Sequence, residues 1–168
     1  CPRRQQVPDG NRRSAGLRLQ STTMRIRAVF FITCLASLPC MVMAQATPVG
    51  LWRSIDDKTG QAKAEIRIKS NAAGVLTGVV EKGLMPGQAP ICTECTDDRK
   101  DKPKLGMEII RGAQKSEGKD LWEGGRILEP ETGRIYALRM SPADGGNKLE
   151  LRVSVGPFGR TQIWQRIN

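Results

Sequence analysis

Histidine is absent from this chain. That removes Ser-His and Cys-His nucleophilic catalysis, and with it the commonest metal ligand. Helical periodicity is missing too: no segment of useful length repeats its apolar residues every three or four positions. Aromatic side chains are few, with three Trp, one Tyr and three Phe in 168 residues.

What is plentiful is an excess of positive over negative charge, and most of that excess lies at one end. The formal net charge is +10, but residues 1–46 hold seven of the 27 basic residues and one of the 17 acids. Within them, Met24 is followed by Arg25 and Arg27, the apolar run "AVFFITCLASLPCMVMA", and Ala44-Gln45-Ala46. A basic start, an apolar middle and an A-x-A site define a secretory signal peptide over 24–46. Residues 1–23 read as an upstream or disordered extension, leaving a single domain over 47–168. The apolar run from Ala28 to Ala44 is short for a membrane span and carries Pro39, so no membrane insertion is expected after cleavage. Without residues 1–46 the net charge falls to +4, and nucleic-acid binding loses its main support. The expected location is the periplasm of a Gram-negative bacterium, or the medium.

In the remaining chain the apolar residues alternate with polar ones. "AKAEIRIK" puts Ala62, Ala64, Ile66 and Ile68 on one face, and "KLELRVSV" does the same with Leu149, Leu151, Val153 and Val155. Such period-two alternation predicts half-buried antiparallel strands. Turn chemistry recurs between them, as in "DDKTG", "NAAG", "EPETG", "ADGGN" and "GPFG". Strands are predicted over 50–56, 62–70, 74–82, 105–112, 120–128, 133–141, 147–155 and 160–167. Eight short strands joined mainly by hairpins predict an all-β fold, an eight-stranded antiparallel up-and-down barrel, with a sandwich as runner-up. Gly124-Gly125, inside a predicted strand, implies a bulge or tight bend. The strand carboxylates Glu108 and Glu123 are read as parts of a solvated face rather than an acid–base pair.

The segment 83–104 stands apart, being long, polar and rich in proline, with "PICTEC" at its centre. Cys92 and Cys95 are the only cysteines after the leader, and an exported protein meets oxidising conditions. Zinc would need two more ligands, with only Glu94, Asp97 and Asp98 near. A redox pair would need a helix N-terminus to stabilise its thiolate, and acids follow instead. The pair is read as a disulfide staple, with no metal and no cofactor expected.

"GLWRS" opens the first strand, and the chain ends "GRTQIWQRI". Gly50-x-Trp52 resembles the calycin pattern of lipocalins and streptavidin-like barrels, which implies that Trp52 closes one barrel end under an arginine, Arg160 or Arg166. Together with "CTECTDDRKDKPKLGMEIIRG" and "WEGGRILEPETGRIY", residues 48–168 resemble the exported bacterial family of domain of unknown function 2147. That resemblance implies a lipocalin-like barrel and brings no activity with it. The expectation is therefore a non-enzymatic carrier of a small apolar or amphipathic ligand, lined by Trp52, Trp122, Tyr136 and Trp164, with the 83–104 loop as a lid. The alternative is an envelope interaction or structural protein whose barrel is plugged by its own side chains.

Overall fold

A computed structural model describes residues 46–168. The expected leader, apart from Ala46, and the segment before it lie outside the described residues. Eight strands follow one another: β1 (Gly50–Ile55), β2 (Ala62–Ser70), β3 (Leu76–Gly83), β4 (Glu108–Lys115), β5 (Trp122–Glu129), β6 (Arg134–Ala143), β7 (Lys148–Val155) and β8 (Phe158–Ile167). Each pairs with its successor, and β1 pairs with β8 through Leu51–Ile167, Trp52–Arg166 and Arg53–Gln165. The sheet is thus a closed up-and-down antiparallel barrel, as the alternation predicts, with no free edge left to aggregate.

Side chains set the turns. Asp56 accepts hydrogen bonds from the Lys58 and Thr59 amides at 3.1 and 2.8 Å, closing the β1–β2 turn. Asn71 accepts from Ala73 and Val75 at 2.9 and 3.0 Å between β2 and β3. The predicted irregularity at Gly124-Gly125 is a real shift of register between Trp122 and Gly125. A Cβ built on Gly125 would lie 2.7 Å from that of Ala113 on the neighbouring strand, so only glycine lets β4 and β5 approach there.

Odd-numbered strands run from one end of the barrel and even-numbered strands return to it, so the two ends collect different residues. At the end where β1 starts, Trp52 is fully buried and its Nε1 donates to the Pro48 carbonyl at 2.6 Å. The Arg166 guanidinium lies over its ring, 4.2 Å from the centroid. Arg166 also donates to the carbonyls of Gly146, Val49 and Thr47 at 2.5, 3.0 and 2.7 Å. Burial pushes the pKa of this guanidinium down, yet three carbonyls satisfy its donors. Above that seal, Ile68, Ile110, Leu138, Met140, Leu149 and Leu151 fill the interior. Gly78 leaves no room in this half, because the Ile110 side chain occupies the space where its Cβ would stand.

Candidate functional site

The other end of the barrel is hollow. A cavity of about 730 Å³ opens between the β1–β2, β3–β4 and β5–β6 connections. Its walls are apolar in depth, formed by Ile66, Val80, Ile109, Ile127, Val153 and Trp164. Ala64 and Ser54 supply small inward residues where the closed half has large ones. The buried Ser54 hydroxyl is satisfied within the strand pair, donating to the Ala64 carbonyl at 3.2 Å and accepting from the Ala64 amide at 3.1 Å.

The rim is charged. Lys63 would face outward by strict alternation, but Ser54 opposes Ala64 and Ile55 opposes Ala62, so Lys63 is the extra residue of a bulge. Its ammonium reaches Glu131 at 3.0 Å and Glu129 at 3.8 Å across the mouth. Lys104 meets Glu131 at 3.7 Å, and Arg160 bridges Glu129 at 3.2 Å and Asp57 at 3.4 Å. Tyr136 donates its hydroxyl to Glu129 at 3.5 Å, and Thr132 donates at 2.8 Å. Burial alone would raise the Glu129 pKa; the Thr132 hydrogen bond and the charges of Lys63 and Arg160 outweigh it and hold the pKa low. Glu129 therefore stays an anion locked among cations.

The connection 84–107 forms one wall of the mouth through Met85, Gln88, Ala89, Pro90, Lys104 and Leu105. It is a short hairpin of its own, bridged at Ile91–Pro103, with Cys92 N donating to Lys102 O at 2.9 Å and Lys104 N to Pro90 O at 2.8 Å. Cys92 and Cys95 are joined in a disulfide, and both are almost wholly buried. The tight turn they close presses on the β5–β6 turn, with the Cys92 sulfur 3.3 Å from the Pro130 carbonyl. Gly133 has φ +67°, and a Cβ there would overlap the Glu94 carbonyl. Glycine is thus required for the fit between these two turns. Arg99, 6 % exposed, anchors the far side of the loop to Asp97 and donates to the Glu108 carbonyl at 2.9 Å.

The aromatic residues proposed as a ligand surface divide between the two ends. Tyr136 and Trp164 line the cavity. Trp52 does not, being sealed beneath Arg166. Trp122 does not either: it starts β5, an odd strand like β1, and lies buried toward the closed end with Lys115 over its ring at 5.2 Å. Of the two arginines offered as barrel closers, Arg166 is the one on Trp52 with Gly50 beside it; Arg160 belongs to the mouth, 6.0 Å from the Tyr136 ring centroid. The expectation missed Lys63, Lys104, Glu129, Glu131 and Asp57, all of which meet only across the mouth. Among the described residues no group of three or more Cys, Asp or Glu side chains is arranged to hold a metal.

An eight-stranded barrel sealed at one end by a Trp–Arg pair and open at the other defines a lipocalin-like protein. The chain belongs to the bacterial family described as "Uncharacterized protein conserved in bacteria (DUF2147)", whose model matches residues 50–166. Among solved structures, it is similar to protein HP1028 from the human pathogen Helicobacter pylori, reported to belong to the lipocalin family. The TM-score is 0.61 at 17% identity, covering 71% of this chain and 82% of that one, a likeness of fold alone. No curated protein matches the chain.

Proposed function

We propose that this is an exported carrier that takes a small amphipathic molecule, apolar end first, into the open half of its barrel. The observation that carries the reading is the cavity of about 730 Å³, apolar in depth and charged at the rim. Its size lies within the roughly 300–1,000 Å³ of small-molecule sites. Each methylene buried there contributes about 0.8 kcal/mol, so roughly eight give about 6 kcal/mol before ordering costs. About 6 kcal/mol corresponds to a dissociation constant of roughly 40 μM, and the ordering costs move it toward the millimolar range. Export is supported by the signal-peptide pattern ahead of the barrel and by a disulfide that suits an oxidising compartment.

Trp164 is the natural reporter, since it alone of the three tryptophans lines the cavity. Titrating an apolar probe into the protein should change Trp164 emission, isolated by Trp52→Phe and Trp122→Phe substitutions. Native mass spectrometry of protein purified from its own envelope should show a co-purifying small molecule. A barrel that takes up no apolar probe would leave the carrier reading without support and favour the plugged-barrel alternative.

A further inference from the structure

The carboxylates of the mouth are all engaged. Asp56 caps the β1–β2 turn through the Lys58 and Thr59 amides and the Thr59 hydroxyl, at 3.1, 2.8 and 2.9 Å. Asp57, Glu129 and Glu131 are held by Lys63, Lys104 and Arg160 in a mutually neutralising set of ion pairs. The cations are not all engaged. Lys58, Lys82 and Arg134 also line the cavity, and their side chains make no ion pair or hydrogen bond among the described residues. Three connections and strands supply them: Lys58 from the β1–β2 turn, Lys82 from the end of β3, and Arg134 from the start of β6. The charge left uncompensated at the rim is therefore positive, directly above an apolar cavity.

We infer that the cavity selects an amphiphile with an anionic head, its apolar chain on Ile66, Val80 and Trp164 and its head among Lys58, Lys82 and Arg134. The inference rests on the carrier reading and adds the head-group chemistry to it. An anion entering the mouth meets cations that need release no partner, whereas a cationic head would meet only carboxylates already paired. A neutral head gains nothing from the rim. The attraction acts through water between exposed groups, so it is modest and screened by salt over a distance of roughly 8 Å at physiological ionic strength.

The test compares laurate, dodecanol and dodecyltrimethylammonium, which share a chain and differ in head charge, by displacement of a bound fluorescent probe. In low salt and mildly alkaline buffer, laurate should bind about ten-fold more tightly than dodecanol, with the ammonium weakest. Added salt should shrink the laurate advantage and leave dodecanol unchanged. The triple variant Lys58→Gln, Lys82→Gln, Arg134→Gln removes charges from exposed side chains that make no ion pair or hydrogen bond; it should bring laurate down to the dodecanol level. Lauroyl-lysophosphatidylglycerol should behave like laurate, and the tighter of the two names the source of the anion, free fatty acid or phospholipid. If the three heads bind alike, head-group selection fails while the carrier reading stands. If none displaces the probe, both fail together. A triple variant that keeps the laurate preference overturns the assignment to these three residues.

Discussion

The two halves of this barrel are built from the same eight strands and differ in what those strands point inward. Toward the closed end the inward positions carry Trp52, Ile68, Ile110, Met140, Leu149 and Leu151, and glycine appears only where a neighbour fills its space. Toward the open end the same strands carry Ser54, Ala64 and Val80, and the rim is a net of ion pairs. Packing at interior density stabilises the first half. The second forgoes that packing and leaves a cavity. Stability and binding are thereby assigned to opposite ends, and substitutions should separate them.

The largest effect should follow Trp52→Ala. It removes a fully buried indole, its hydrogen bond to Pro48 and the platform on which Arg166 lies. A loss of about 3–5 kcal/mol in denaturant unfolding is expected, with probe binding retained wherever the variant is folded. A loss under about 1 kcal/mol would mean that the closed end is not the stabilising half.

Gly133→Ala comes next and acts on the open half. The position has φ +67°, and the new methyl would overlap the Glu94 carbonyl, so the disulfide turn must lift from the β5–β6 turn. Strain and displacement together should cost about 1–3 kcal/mol. Probe affinity should change as well, because that contact sets one wall of the mouth. Unaltered binding with reduced stability would detach the wall from the site.

Much of this division is legible in the amino-acid sequence. Alternation in "AKAEIRIK" and "KLELRVSV" predicts strands that match β2 and β7 closely. The fourth strand, predicted at 105–112, runs Glu108–Lys115, since Leu105 and Gly106 form a turn in which Met107 N donates to Lys104 O at 3.1 Å before the strand begins. The parity of an up-and-down barrel assigns residues to its two ends. Trp122 opens an odd strand and so shares the end of Trp52, while Arg160 and Arg166 lie at opposite ends of β8. Alternation could not reveal the rim. Lys63 reaches the mouth only because a bulge shifts its register, and its partners Glu129 and Glu131 lie more than a strand away in sequence.

Cys92→Ser with Cys95→Ser should have a smaller effect. The closed loop is very short, so its entropic contribution is about 2 kcal/mol or less. The backbone bonds Cys92–Lys102 and Pro90–Lys104 persist without the sulfur bridge. The expected outcome is a slightly lower melting temperature, an intact barrel and faster amide exchange confined to residues 84–107. Exchange that quickens equally around Trp52 would show that the two halves do not unfold separately.

The smallest effect is an acid one, and it too should single out the open half. Asp97 has its pKa lowered from 3.8 to about 2, first by its side-chain hydrogen bonds with Arg99 and against a smaller opposing effect of burial. A carboxylate whose folded pKa is depressed contributes stability that is fully present above the unfolded value and disappears as the pH falls through the folded one. The window is therefore from 3.8 down to about 2. With the carboxylate 29% exposed, solvent screening limits the contribution to about 1 kcal/mol. Protonation leaves the buried Arg99 with the Glu108 carbonyl and a neutral neighbour, which loosens the far anchor of the loop. Glu129 and Asp98, also depressed, lose their ion pairs on the same side of neutrality. The Trp52 seal at the closed end is held differently, because Arg166 is bonded to backbone carbonyls that do not titrate. Pepsin digestion at stepped acid pH should first cleave within residues 84–107 and spare the strands, and Asp97→Asn should give that cleavage pattern already at the top of the window. First cuts near Trp52 or Arg166 would place the acid-sensitive half at the wrong end of the barrel.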